Sequence, residues 1–519
     1  MEKSFFKNNE KTVIRFLLVI SILVFAVYSE RVIGRGFKLS AIFLLLCFIL
    51  FLVGFLGLKS ILFKEDQIHV TYLKIALPLL IFYSFLLPPG MVPDENTHLK
   101  NVASLSSQLL GVEINHKATL TYDEYRMIYD NNWDDASKLN VREVRKYVLA
   151  NIRNKANKSL VALDKASTVT SSMFYYFPAV LGLTFGRIFG FNAIISFFFA
   201  RFFGMFVFLA ICYYALKKMP IKKNLFFGIL LLPVVLQQGM SISYDLMLNA
   251  CSFLSISLGL NFAINQSKKN IKDIILFLFA ALVLLFVKSG LYAFVLLISV
   301  IGVLSSSRKK LNVRQILYFV GTVLLLLAIR LFVTHFDRSF DTINNVLYAK
   351  LPWNSSKSQF MYTTGYFIAH PFRLPYIILN DIRIHFGFYF RTAFSTMGWL
   401  NIQLSTALNF VWVFIFMIAS YFDQNSNFKF NKLQKIFISL LMIVEAVLVL
   451  MGLILLWTPL GENHIYGVQG RYFIPLLLPV FIILESKIKC SNQFNVKYIN
   501  IAFLSLTVIE ALDLLYLAL

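Results

Sequence analysis

Leu79-Leu80-Ile81-Phe82-Tyr83-Ser84-Phe85-Leu86-Leu87-Pro88-Pro89-Gly90-Met91-Val92-Pro93-Asp94-Glu95-Asn96-Thr97-His98 carries a membrane boundary within one short stretch. Its apolar half continues upstream to about residue 70, long enough to cross a bilayer core. Three prolines and a glycine then end the helix and fix the exit path. Two adjacent carboxylates and a histidine follow at the water–lipid boundary. Acids so close to hydrocarbon are costly unless they have a partner or a task. A carboxylate there suits deprotonation of an acceptor hydroxyl in a transfer reaction. The plainer alternative makes Asp94 the N-cap of a helix that starts at Glu95.

The rest of the 519-residue chain agrees with a membrane reading. Hydrophobic residues make up 58% and charged residues 14%, where a soluble domain carries about 25% charged. Fifty-four phenylalanines do not fit a water-facing surface. DNA-binding proteins, secreted disulfide scaffolds and cytosolic enzymes are excluded on this ground. The net charge of +23 reads as cytoplasmic loop bias and attraction to anionic lipid, not as a nucleic-acid surface. Cys47, Cys212 and Cys251 fall inside apolar runs and Cys490 sits beside a lysine-rich turn, with no metal or disulfide spacing.

Apolar runs near 12–29, 37–58, 70–88, 192–217, 223–240, 245–264, 272–287, 290–304, 313–333, 405–420, 434–457, 471–485 and 498–517 predict an all-α polytopic bundle of about 13 spans. The first run follows Lys3, Lys7, Lys11 and Arg15 but ends at Val27-Tyr28-Ser29-Glu30-Arg31 without a small-residue cleavage site, so it reads as a retained span. Lys59/Lys64, Lys217/Lys218/Lys222/Lys223, Lys268/Lys269/Lys272, Arg308/Lys309/Lys310/Arg314, Lys429/Lys432/Lys435 and Lys487/Lys489 fall in alternate connections. With the N-terminus they define one cytoplasmic side of a multi-pass cell-membrane protein. Residues 172–190 are apolar enough to cross, but a crossing there would move Lys217–Lys223 outside. They are expected to lie flat on the outer surface or to be re-entrant.

The whole chain, 1–519, reads as one integral membrane domain. The external side holds a loop of about 89–171, with ten of the 26 acidic residues, a second loop of about 334–404 rich in Phe, Tyr, Arg and His, and a short loop 458–470. In the first, Val141, Val144, Val148 and Ile152 recur at helical spacing beside Arg142, Arg145, Lys146 and Arg153. That pattern fits an amphipathic helix on the membrane or, equally, a two-faced loop helix.

Three further motifs lie at external span ends. Ser241-Ile242-Ser243-Tyr244-Asp245 puts Asp245 at the depth of Asp94, where two carboxylates from different helices could hold an acceptor or a divalent cation; an N-cap is the alternative. Tyr466-Gly467-Val468-Gln469-Gly470-Arg471-Tyr472-Phe473-Ile474-Pro475 offers a bidentate guanidinium for a lipid phosphate, with glycines that permit close backbone approach; a snorkelling anchor is the alternative. Lys288-Ser289-Gly290-Leu291-Tyr292 places a lysine where it binds phosphate or snorkels. Arg201, deep in 192–217, calls for a carboxylate or backbone carbonyls as structural partners. Glu445, Glu510 and Asp513 fall in no motif.

These pieces, in this order, resemble a bacterial family of integral membrane proteins catalogued as a domain of unknown function. Its pattern stands here as Pro89–His98, Ser243–Asp245, Lys288–Tyr292, Gly398-Trp399-Leu400 and Gln469–Pro475. That family in turn resembles the GT-C glycosyltransferases, which take a sugar from a polyprenyl-phosphate carrier on the outer face. The resemblance implies Asp94 as the catalytic acid-motif residue with Glu95 beside it, and Asp245 as the second acid. His98, Lys288, Gln469, Arg471 and Tyr472 are the expected substrate-binding residues. The implied partners are a polyprenyl-phosphate-linked sugar donor and a surface-glycan acceptor, in a membrane with anionic lipid. A divalent cation is left open, and no sequon-recognition motif supports a protein acceptor. A transporter or flippase for lipid-linked glycans is the rival class, and a glycan polymerase or ligase shares the donor chemistry. The absence of an internal repeat and the clustering of acids at one interface favour the enzyme over a transporter.

Overall fold

The structure, a computed structural model, describes residues 37–63, 67–129, 140–168, 170–265, 270–305, 361–423, 428–484 and 496–518, with the isolated positions 321 and 328. The expected spans 12–29 and, almost wholly, 313–333 lie outside the described residues, as do the first part of the 334–404 loop, Cys490 and the basic turns at 268–269, 308–314 and 487–489.

The described chain is mostly helical. Helices α1 (Phe37–Phe63) and α2 (Ile68–Leu86) are followed by the first long loop and by α6 (Met173–Ile188) and α7 (Ala193–Lys218). Next come α8 (Lys223–Leu230), α9 (Pro233–Met240), α10 (Tyr244–Ile264) and α11 (Ile271–Phe286). Among the described residues, six helices are long and apolar enough to cross a membrane: the Ile42–Leu62 part of α1, then α2, α7, α10, α15 (Lys432–Trp457) and α17 (Lys497–Ala518). Helices α8 and α9 make a seventh if counted as one span bent by 63°. Pro233 opens α9, and a proline lacking its N–H is tolerated at a first helical turn, so the bend falls there.

Four other predicted runs take shorter forms. Residues 272–287 become the 16-residue α11, 290–304 a 3-10 segment (Ala293–Ser305), and 405–420 the 17-residue α14 (Thr406–Phe422). Residues 471–485 become a 3-10 turn (Gly470–Phe473) running into α16 (Ile474–Ile482). The prolines at 475 and 479 fall inside the run 471–485, and the turn at Lys288 (φ +45°) separates the runs 272–287 and 290–304.

Helix α10 is the central element. In its apolar window 83% is buried inside the protein, against 33–50% for the other five. Helix α6 packs along α7 through Gly182 and Gly186, where an added Cβ would meet the Phe199 carbonyl oxygen at 2.4 Å and Ser196 Cβ at 2.6 Å. Small residues four apart let two backbones approach this closely. At 16 residues α6 is shorter than a typical span.

The first loop folds into α3 (Glu95–Leu109), β1 (Lys117–Thr121), α4 (Tyr122–Tyr129), α5 (Val141–Asn151) and β2 (Leu160–Ala166). Strands β1 and β2 pair antiparallel, Thr121 opposite Leu160. A second ribbon, β3 (Thr396–Met397) with β4 (Ile402–Gln403), follows α12 (Thr364–Ala369) and α13 (Arg373–Phe394). The two short ribbons lie in the connections between helices, and the described chain remains a helical membrane-type fold. The apolar face of α5 is turned into the protein: Val141, Val144 and Val148 are buried, and Arg145 donates to Leu86 O (2.8 Å) and Ala518 O (3.0 Å). The guanidinium thereby satisfies terminal carbonyls of α2 and α17. Of the two readings of this stretch, the two-faced loop helix is the one observed.

At the opposite end of the bundle the described basic turn after α7 meets its partners. Lys222 Nζ donates to Ser420 O (2.7 Å), Lys218 pairs with Asp273 (2.9 Å), and Asp423 accepts from the Asn224 backbone and side chain (2.7 and 2.8 Å). Segments that the charge pattern assigns to one side therefore meet at one end.

Candidate functional site

After α2 the chain turns through Gly90 (φ +83°) and reaches Asp94 with φ +62°. A left-handed backbone is costly for any residue with a Cβ, though less so for Asp. Asp94 precedes α3, yet its side chain makes no capping hydrogen bond. It reaches instead to Arg471, Oδ2 lying 3.2 Å from Nη2.

Glu95 points the other way. Its carboxylate pairs with Arg201 at 2.9 Å (Nε) and 2.6 Å (Nη2), and both side chains are fully buried. It also accepts from the Gly90 and Ile242 amides, each at 3.0 Å. Arg201 Nη1 donates to Leu87 O (2.7 Å) and Ser84 O (3.2 Å). Arg201 thus has both kinds of partner that its depth demands. The sequence groups Glu95 with Asp94 and Asp245; the structure ties it to Arg201, where it staples the turn after α2 to α7 and to the start of α10.

Asp245 stands in the first turn of α10. The cap there is Ser243, whose hydroxyl accepts from the Asp245 amide at 3.0 Å. Asp245 Oδ2 lies 3.2 Å from Arg471 Nη1, and Oδ1 lies 3.2 Å from Lys288 Nζ. Gln469 Oε1 accepts from Arg471 Nε at 2.6 Å. All three nitrogens of the guanidinium are engaged, each by a different residue. Lys288, also in a left-handed backbone (φ +45°), sits over the Tyr472 ring at 3.8 Å and near Tyr244 at 5.1 Å.

The Arg471 turn is held from behind. An added Cβ at Gly470 would lie 1.8 Å from Tyr389 O on α13, and the Gly470 amide donates to Thr392 Oγ1 at 2.7 Å. Tyr292 donates to Tyr472 O at 2.9 Å. His98 stands one layer back: Nδ1 is 2.5 Å from the Tyr176 hydroxyl, and its ring meets Tyr244 edge-on at 4.6 Å. Burial pushes the imidazole down to about 4, outweighing the upward pull of Asp94 and Asp245. At neutral pH it is an uncharged support for the two tyrosines. Tyr244 and Tyr176 were not singled out from sequence, because aromatic residues are common at membrane boundaries. Gly398 is fixed by hydrogen bonding with Gln237 of α9 (amide to Oε1, 2.8 Å) and contributes backbone shape.

The site therefore joins Asp94, Asp245, Lys288, Gln469, Arg471 and Tyr472, with His98 behind and Glu95 apart. Exposure divides its charges: the Asp94 side chain is 44% exposed, those of Lys288, Arg471 and Asp245 16%, 5% and 4%. Asp94 is the most exposed charge of the four. The two acids already face two cations, so these residues do not fit a metal, and among the described residues no group of three or more His, Cys, Asp or Glu could hold one.

No curated protein and no solved structure matches the chain. A family model described as "Predicted membrane protein (DUF2142)" matches residues 77–480, a stretch that includes every charged residue of the site. The chain is a member of that family of membrane proteins.

Proposed function

We infer that the protein is a membrane glycosyltransferase of GT-C-like architecture with about thirteen crossings, moving a sugar from a polyprenyl-phosphate carrier to a surface glycan. The supporting observation is the convergence of Asp94 and Asp245, 151 positions apart in sequence, on one guanidinium with a lysine beside it. A transfer of this kind needs a proton acceptor that the acceptor sugar can reach and fixed cations for the leaving phosphate. Asp94 and the Arg471/Lys288 pair have those properties.

In the reaction, the acceptor hydroxyl oxygen attacks the anomeric carbon as the carbon–oxygen bond to phosphate breaks. The bonding pair leaves on the phosphate oxygen, toward Arg471 and Lys288, and the hydroxyl proton passes to Asp94. Preorganised cations contribute most where negative charge develops, as on this leaving group. The N-terminus is cytoplasmic in this reading and the site faces outward.

Arg471→Lys tests the assignment. A lysine keeps the charge but cannot reproduce three directed contacts, so donor-dependent transfer by the purified protein should fall by roughly ten- to a hundredfold, and further in Arg471→Ala. Unchanged donor dependence in Arg471→Lys removes the guanidinium from the reaction. A second reading, transport of the lipid-linked glycan, draws on α10, where Asn249 Oδ1 and the Ser252, Ser255 and Ser257 hydroxyls are buried without a hydrogen-bond partner. Donor translocation in proteoliposomes without any transfer product would favour it.

A further inference from the structure

We propose that the phosphate of the lipid-linked donor, a diester of polyprenol and sugar with two free oxygens, enters the site by displacing Asp94 from Arg471, so that donor binding itself releases the base. The inference rests on the transferase reading and concerns the order of events at the same site.

The charges require an exchange of some kind. Asp94 and Asp245 face Arg471 and Lys288, two negative groups against two positive ones. The resting cluster is neutral and offers an incoming anion no uncompensated cation. Arg471 has no idle nitrogen either, since Nε, Nη1 and Nη2 serve Gln469, Asp245 and Asp94. Two of its five N–H donors are left over, one on each terminal nitrogen beside an acid, so a phosphate that takes a forked contact there meets a carboxylate of like charge, and one acid gives up its place.

The geometry selects which one. Asp245 is 4% exposed and held by two cations at 3.2 Å each. Removing it would strand buried charge on both partners, which is strongly unfavourable. Asp94 is 44% exposed, has one ion pair at 3.2 Å and makes no capping bond. Water replaces the lost contact of a half-exposed carboxylate, so its pair is the weak one.

The consequence is a coupling. Before the phosphate arrives, the Asp94 oxygen is tied to a guanidinium. Once the phosphate takes Nη2, Asp94 carries a free carboxylate beside an activated donor, in position to take the acceptor proton. Asp245 keeps Arg471 and Lys288 in register throughout.

The test is equilibrium binding to the full-length protein in detergent, with a radiolabelled polyprenyl phosphate, inorganic phosphate and the uncharged polyprenol as three probes. Asp94→Asn removes the competing charge, so polyprenyl phosphate should bind it roughly tenfold tighter than wild type, since like charges at contact oppose association strongly. The same variant should be inactive in transfer. Inorganic phosphate gaining by a similar factor identifies the phosphate group as what displaces Asp94; a gain confined to the lipid with equal gain for polyprenol would trace the effect to the tail and overturn the proposal. Asp94→Gly, which relieves the backbone, repeats the measurement should the Asn variant fold poorly. Equal or weaker binding in both variants, with wild type binding well, sinks the exchange while leaving the transferase reading intact. Tightening in Asp245→Asn but not at position 94 puts the exchange on the other acid. Failure of every form, wild type included, to bind any phosphate overturns the transferase reading itself.

Discussion

Adjacent carboxylates at 94 and 95 end up in different chemistry. Asp94 stands before the helix in a left-handed backbone and Glu95 is the first helical residue, so one faces the opening and the other the packed interior. Glu95→Gln should therefore unfold the site. It leaves Arg201 buried and uncompensated, a loss of about 3–5 kcal/mol, and the melting temperature in detergent should drop sharply, whereas Asp94→Asn should leave it nearly unchanged. A Glu95→Gln protein as stable as wild type and defective only in transfer would return Glu95 to the reactive group. The sequence made Asp94, Asp245, Lys288 and Arg471 legible, because charge at an apolar boundary is rare enough to stand out. It did not reveal the partner of Glu95, since Arg201 lies 106 positions away and only the fold sets them face to face.

The long helices were legible to within a few residues. Predicted 192–217, 245–264 and 434–457 correspond to Ala193–Lys218, Tyr244–Ile264 and Lys432–Trp457. An apolar run bounded by polar turns carries that information locally. The β1–β2 ribbon and the partner of α5 were not legible, because strand pairing and the choice between lipid and protein depend on residues distant in sequence. At the α13–Arg471 contact the decisive detail is one missing methyl group. Gly470→Ala brings a Cβ into the Tyr389 carbonyl. Backbone atoms on both sides leave no flexible side chain to yield, so the expected cost is about 1–3 kcal/mol, with Arg471 displaced and transfer lost. Full transfer activity in Gly470→Ala would mean that α13 does not fix the guanidinium.

The described turns that lysine and arginine assign to opposite sides of a membrane lie at different ends of the bundle. Asp94, Asp245, Lys288 and Arg471 meet at one end; Lys218, Lys222 and Asp273 lie with the turns at the other. Each basic loop votes separately, so impermeant thiol labelling in intact cells, in a background without native cysteines, should modify His464→Cys and spare Pro220→Cys. Labelling at position 220 would invert the arrangement and carry the site to the cytoplasmic face. Hydropathy says less about which runs cross in full. A hydropathy run does not distinguish a full helix from the interrupted 3-10 segment 293–305 or the proline-broken 470–482.

The backbone at Asp94 has a consequence for how such a chain ages. A glycine occupies φ +62° without strain and makes no demand on Arg471. Mutation toward glycine at this position is thus favoured by stability and opposed only by work the carboxylate performs. A lineage released from that work would shed the aspartate early while keeping the Glu95–Arg201 staple, which folding alone maintains. Among relatives whose chemistry has not been measured, position 94 is accordingly the residue at which retained function and mere retained fold part company.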